Sequence, residues 1–159
     1  MAPPTVAVIG GGQLARMMQE SAIALGINLR VLVEAEDGST GLVTVDKAVG
    51  APKDLDAVRA LIDGADVLTF EHEHIPAQTM EEAARVVSVQ PPAPALLYAQ
   101  DKLQMRARLS EMGIPCPAWA RVDNAAELEE FGATIGWPLI VKTPRGGYDG
   151  NGVAVAHSP

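Results

Sequence analysis

Thr5-Val-Ala-Val-Ile-Gly-Gly-Gly-Gln-Leu-Ala-Arg-Met-Met18 is the stretch that decides the fold. Thr5 to Ile9 is a short, β-branched run, the composition of a buried strand. Three glycines follow it, and then apolar residues recur at helical spacing. Leu14, Met17, Met18, Ala22 and Leu25 fall on one face, and Gly26 stands where such a helix would end. Asn28 to Val33 reads as the next strand, closing on Glu34. Strand, glycine turn, helix and strand open a parallel α/β sheet.

The turn matches G-x-G-x-x-G/A, with Gly10, Gly12 and Ala15 in the three places. Glu34 lies about 20 residues on, where a ribose-binding acid would stand. Three readings stay open. The turn holds a dinucleotide, or it is only a tight strand-to-helix connection, or the helix N-terminus takes another anion such as a substrate phosphate. In the last case Gln13 and Arg16 are hydrogen-bonding side chains close by.

Further along, Asp46 to Val49 reads as a short strand and Lys53 to Ile62 as a helix with Leu55, Val58, Leu61 and Ile62 on one face. Ala65 to Phe70 is a strong buried strand. It delivers Glu71-His-Glu-His74 at its carboxyl end, where open α/β sheets bind ligands. If that run stays extended, Glu71 and Glu73 share one side and His72 and His74 the other, which disfavours one metal site built from all four. Pro76 opens a helix with Met80, Ala83, Ala84 and Val87 inward, and Val86 to Val89 is a last strand. Gln90-Pro-Pro-Ala-Pro94 reads as a stiff connection and a boundary. The first domain accordingly spans 1–98 and the second 99–159.

The second segment starts at Gln100-Asp-Lys102 with a helix bearing Leu103, Leu109 and Met112 inward. A strand is expected around Ala118 to Val122. Asn124 and Glu127 form a capping box for a helix with Leu128, Phe131 and Ile135 on one face. Then comes Leu139-Ile-Val-Lys-Thr-Pro-Arg-Gly-Gly-Tyr-Asp-Gly-Asn-Gly152, followed by Val153-Ala-Val-Ala156: a hairpin with a glycine-rich tip. Such glycines serve turns, or they let backbone N–H groups converge on a bulky anion. Lys142 adds a point charge of the kind phosphate oxygens prefer.

Composition narrows the partners. A net charge of −8 over 159 residues argues against nucleic acid, which needs a basic face. The single Cys116 excludes an internal disulfide. No apolar run reaches the length of a membrane span and the N-terminus lacks a signal-peptide pattern, so a cytoplasmic protein is expected. A P-loop, a His-Glu-x-x-His and a nucleophile elbow are all absent from the sequence. Two phosphate-competent glycine loops on separate segments suit an enzyme that brings ATP and a phosphorylated substrate together. A nicotinamide-dependent oxidoreductase domain explains the first loop but leaves Lys142 and the second without a task.

Gly10-Gly-Gly-Gln-Leu-Ala-Arg-Met17, Glu71-His-Glu-His-Ile-Pro76, Gln100-Asp-Lys102 and Lys142 to Gly152 resemble, in this order, the opening motifs of the 5-(carboxyamino)imidazole ribonucleotide synthase family of the ATP-grasp superfamily. The resemblance covers essentially the whole chain. It implies an α/β fold: a Rossmann-like, parallel-sheet pre-ATP-grasp domain followed by the first lobe of an ATP-grasp domain. The implied reaction is carboxylation of 5-aminoimidazole ribonucleotide with bicarbonate at the expense of ATP, in purine biosynthesis. Lys102 and Lys142 would contact ATP, and Gly146, Gly147, Gly150, Asn151 and Gly152 would form a flap over it. Gln13, Leu14 and Glu71 would lie at the ribonucleotide, with Glu73 as second choice. Tyr148 and Asp149 would face substrate, with Asp149 handling the amine proton. Magnesium is implied as well, with its ligands beyond this chain, and so is a homodimer in the full-length enzyme. Asn151 departs from the family, which usually has a basic residue there. The family's ATP-grasp domain runs well past residue 159, so an N-terminal fragment is expected, inert alone and with an open sheet edge prone to association. Another ATP-grasp carboxylase or ligase shares the architecture but not the Tyr148-Asp149 pair.

Overall fold

The computed structural model describes residues 2–147 and 150–159. The chain divides into two compact units, Met1–Leu96 and Leu97–Pro159.

The first unit alternates strand and helix: β1 (Thr5–Ile9), α1 (Gln13–Leu25), β2 (Asn28–Val33), β3 (Asp46–Val49), α2 (Leu55–Ile62), β4 (Val67–Phe70), α3 (Ala77–Ala83) and β5 (Ser88–Val89). The strands form one sheet in the order β3-β2-β1-β4-β5, and every pair in it is parallel. The chain winds outward from β1 to β3, then returns to β4 on the other side of β1. The carboxyl ends of β1 and β4 therefore flank the point where the winding reverses, the crevice in which such sheets bind ligands.

Period-2 alternation divides the core between the two sheet faces. Ala7, Ile9, Leu32 and Leu68 meet Val58, Leu61 and Ile62 of α2 and Met80 and Ala83 of α3. Val8, Val31 and Val33 point the other way and meet Ala15 and Ala22 of α1. The apolar stripe read from the sequence of α1 is only partly its buried face. Leu14, Met17 and Leu25 are exposed, and the helix lies on the sheet through Ala15, Met18 and Ala22. Small side chains let the helix backbone approach the strands closely, which rotates the longer residues outward. Ala84 of the expected α3 face is likewise exposed. α2 starts at Leu55 rather than Lys53, because the Asp54 carboxylate accepts from the Asp56 and Ala57 amides and fixes the first turn there.

The proline-dense stretch is not simply a connection. α4 (Ala93–Gln100) begins inside it. Pro94 falls in the first turn, where a helix has no use for its missing N–H.

The second unit contains α5 (Lys102–Glu111), α6 (Ala125–Ile135), β6 (Leu139–Lys142) and β7 (Val153–Ala156). β6 and β7 pair antiparallel, with Lys142 opposite Val153. The strand expected at 118–122 does not form: residues 114–122 carry no ladder. Pro115 and Pro117 remove two donors just before it, and the Trp119 indole N–H instead donates to the Ser110 hydroxyl. The capping box at α6 forms in a shifted version. Asn124 Oδ1 accepts from the Glu127 amide, while Glu127 reaches back to the Asp123 amide. α5 buries none of its residues, and Met112 beyond it is exposed, against the inward placing of Leu103, Leu109 and Met112.

The two units are unequally built. Among the described residues, nineteen of the twenty buried apolar side chains lie in the first unit, and the other is Leu139. A two-stranded hairpin without a packed layer is marginal in water. Leu61→Ala is therefore expected to lower the stability of the first unit by about 2–5 kcal/mol, whereas Ile140→Ala, on a half-exposed residue, changes that transition by less than about 0.5 kcal/mol. Urea unfolding followed by far-ultraviolet dichroism distinguishes the two.

Candidate functional site

The site in the first unit is built from the ends of β1 and β4. The Glu71 amide donates to Ile9 O at 3.2 Å, which carries the β1–β4 pairing one residue past β4. The backbone then bends, and the Glu71 side chain crosses to the glycine turn. The Gly12 amide donates to Glu71 Oε1 at 2.5 Å and the Ala15 amide to Oε2 at 2.7 Å. These are donors at the start of α1, which no side chain of its own caps. A carboxylate there is also favoured by the helix dipole.

The glycines make room for this carboxylate. Gly10 has φ +121°, and a Cβ on it would collide with Glu71 Cγ. A Cβ on Gly12 would sit 3.0 Å from Glu71 Oε1, and one on Gly11 would fall 2.5 Å from Val33 Cγ1. The loop after β2 closes the turn from the other side. Thr40, fully buried, donates its hydroxyl to Gly12 O at 2.6 Å and its amide to Gly11 O at 3.1 Å. Arg16 donates to Ser39 O, and Gln13 Oε1 accepts from the Ser39 hydroxyl at 3.2 Å. Gln13 and Leu14 are exposed at the mouth of the turn. Glu34, the ribose-binding acid of the dinucleotide reading, is exposed at the end of β2.

Residues 71–74 do not stay extended. β4 stops at Phe70, and residues 71–73 are bends. Glu73 is half-buried, and its carbonyl accepts from the Ile75 amide. His72 Nδ1 accepts from the His74 amide at 3.2 Å, and the two rings lie 5.9 Å apart.

The second unit holds the lysines. Lys142 ends β6, and Lys102 opens α5. Both line one cleft of about 770 Å³ together with Arg106, Trp119, Phe131 and Val141. Residues 117–123 and β6 both contribute to its walls. The base of the glycine hairpin is tied to the start of α5. The Lys102 amide donates to Pro144 O at 2.9 Å, and its ammonium to Gly146 O at 2.8 Å. Asp101 is the pin of this arrangement. One carboxylate oxygen accepts from the Leu103 and Gln104 amides, and the other accepts from Arg145 Nε at 2.9 Å. Neither Asp101 nor Arg145 stood out in the sequence as a site residue. Asp101 could have been found as the residue preceding a helix, whereas a partner 44 positions away leaves no local signal.

The hairpin loop closes through the Thr143 amide on Gly152 O at 2.9 Å. Gly146, Gly147, Gly150 and Gly152 all have positive φ, so the loop path itself demands glycine. Asn151 is exposed, and its carbonyl packs where a Cβ on Gly147 would lie. Tyr148 and Asp149, expected to face substrate, lie outside the described residues.

This geometry defines a class: a doubly wound ligand domain joined to a lysine-flanked glycine hairpin. Residues 3–100 match the ribonucleotide synthetase pre-ATP-grasp domain family and residues 107–159 the ATP-grasp domain family. The chain belongs to the ribonucleotide synthetase pre-ATP-grasp family. It is 49% identical over 154 residues to N5-carboxyaminoimidazole ribonucleotide synthase of Mycobacterium tuberculosis, a match covering 96% of this chain and 36% of that protein. The Staphylococcus aureus N5-carboxyaminoimidazole synthetase complexed with ADP superposes with a TM-score of 0.88 at 31% identity, over 98% of this chain and 42% of that one. The Aspergillus clavatus enzyme in complex with ADP and 5-aminoimidazole ribonucleotide gives 0.85 at 33% identity, over 99% and 41%. The chain thus spans about 36% of the length of the mycobacterial relative.

Hydrogen bonds from the Gln104 amide and from Arg145 hold the Asp101 carboxyl below its ordinary value of 3.8, against the opposing effect of burial. A lowered carboxyl stabilises the fold above its unfolded value and loses that contribution as pH falls through the folded one. The cap and the pair are therefore intact at neutral pH and dissolve only in acid. The Leu103 and Gln104 amide shifts, followed by NMR against pH, should titrate with a midpoint below 3.8, and Arg145→Ala should move that midpoint upward. A wild-type midpoint at or above the ordinary value would contradict the pinned arrangement.

Proposed function

We propose that this chain supplies the substrate-binding domain and the phosphate-gripping hairpin of an ATP-dependent carboxylation of 5-aminoimidazole ribonucleotide. The observation that carries the reading is the hairpin base. An ammonium is held on the loop carbonyl of Gly146 and a second, Lys142, stands at the strand end of the same glycine loop. Two point charges beside a glycine-rich loop form a grip for polyphosphate. The relatives support the choice of substrate, since one of them is described with ADP and 5-aminoimidazole ribonucleotide bound.

In this reading Lys102 and Lys142 neutralise charge on the ATP phosphates, which is most of what a protein contributes to phosphoryl transfer. Gly146, Gly147, Gly150, Asn151 and Gly152 cover the phosphates and exclude water from a labile carboxylated intermediate. Gln13, Leu14 and Glu71 contact the ribonucleotide at the switch point, with Glu73 as second choice. Tyr148 and Asp149 are assigned to the substrate side of the loop, Asp149 as acceptor of the amine proton. Bicarbonate as co-substrate, pairing of two copies in the full-length enzyme and a cytoplasmic setting belong to the same proposal. So does a division of labour at residues 98 and 99. No helix among the described residues is long and apolar enough to cross a membrane.

Magnesium is implied by the family. Among the described residues no group of three His, Cys, Asp or Glu side chains could hold a metal ion, and the charged side chains lining the lysine cleft are mainly basic. The described residues do not fit the ion, and no step is assigned to it.

A nicotinamide cofactor is disfavoured by the same geometry, because two turn amides that would hold its pyrophosphate, those of Gly12 and Ala15, already donate to Glu71. Titration calorimetry is expected to show saturable binding of ATP and of 5-aminoimidazole ribonucleotide and none of NAD. Lys142→Ala and Lys102→Ala should each weaken ATP by about tenfold or more, a loss of about 1.4 kcal/mol, with the ribonucleotide unaffected. Binding of NAD without ATP would sink the reading.

A further inference from the structure

The glycine turn has the sequence of a phosphate-binding turn, yet two of its amides are already engaged by Glu71. We infer that Glu71 is a specificity determinant, a resident anion that closes the N-terminus of α1 to phosphate groups. Four observations carry this. α1 is a 13-residue helix whose first turn lacks a side-chain cap of its own. Two amides of that turn, Gly12 and Ala15, each donate to a different oxygen of one carboxylate. A Cβ on Gly10 or Gly12 would run into the Glu71 side chain, so the absent side chains leave space for Glu71 and not for a ligand. Finally, Glu71 is delivered by the strand next to β1, and its own amide is anchored on Ile9 O.

A tethered carboxylate has a large advantage over a free anion for the same donors, since its translational freedom is already lost. A phosphate approaching the turn meets like charge where a nucleotide-binding turn offers donors, and like-charge juxtaposition is a strong means of rejecting a ligand. The turn therefore selects against phosphates and dinucleotides that its glycine spacing would otherwise attract. This holds whatever reaction the chain serves, and its test needs neither ATP nor the ribonucleotide.

Inorganic phosphate is the probe, titrated into ¹⁵N-labelled chain at neutral pH while the Gly12 and Ala15 amides are followed. In the wild type these amides should not respond. In Glu71→Ala, with dispersed β1 and β2 signals as evidence of folding, both should shift saturably, with phosphate affinity raised by about tenfold or more over the wild type. Glu71→Gln keeps the side-chain size but offers a single acceptor oxygen, so one amide stays engaged and the gain is smaller. If Glu71→Ala does not fold, the glutamine variant decides by the presence or absence of that gain. A folded variant indifferent to phosphate overturns the inference. So does a saturable response of Gly12 and Ala15 in the wild type, whatever the variants do.

Discussion

The hydrogen bonds from the Gly12 and Ala15 amides to the Glu71 carboxylate are the constraint on which the first unit depends. They join three elements at once: the end of β1, the start of α1 and the residue after β4. Hydrogen bonds to a charged group contribute about 1.5–3 kcal/mol each, comparable to a well-buried leucine. Their larger effect is geometric. Because the carboxylate lies against Gly10 and Gly12, the turn must follow a path open only to glycine at residue 10, and α1 must start where it does. Thr40 then seals the turn through two further bonds to Gly11 and Gly12. Charge, helix dipole and steric fit agree at one point, the place where a doubly wound sheet presents its crevice.

The second unit works on another principle. Its order comes from polar links between α5 and the hairpin base, centred on Asp101, rather than from a filled core. Polar links of this kind are directional and individually modest. They fix the root of the glycine loop while leaving little apolar burial to hold the remainder. Such a division suits the polyphosphate grip proposed above, since both lysines sit on the pinned portion.

Much of the first unit was legible in the sequence because its signals are local. β-branched runs gave β1 and β2 at their observed bounds. The hairpin of β6 and β7 was equally plain. What stayed hidden depends on partners in space. The spacing of Gly10, Gly12 and Ala15 reads as a nucleotide turn, and only the structure shows that a carboxylate 59 positions away fills it. Alternation at 118–122 is a strand signal, but a strand also needs an available ladder, which two nearby prolines disfavour. The long apolar residues of α1 looked like its core face, although alanines make the contact. The helix at Ala93–Gln100 was masked by prolines that are tolerated in a first turn. Arg145, the counter-charge of Asp101, carries no signal short of the fold.

The short outer strands of the five-stranded sheet have a consequence for the life of the chain in a crowded solution. β5 contributes only two residues, and β3 carries Asp46 and Lys47 on a rim stitched inward by Arg30, which pairs with Asp46 and also reaches the Leu61 and Asp63 carbonyls. A stub on one side and a charged, anchored rim on the other are poor templates for a foreign strand. The first unit is in this way self-limiting: its sheet is finished at both margins and resists recruitment into fibrils. The hairpin of the second unit, with Ile140 and Val155 half-exposed, lacks such finishing. Any tendency of this chain to aggregate would be seeded there.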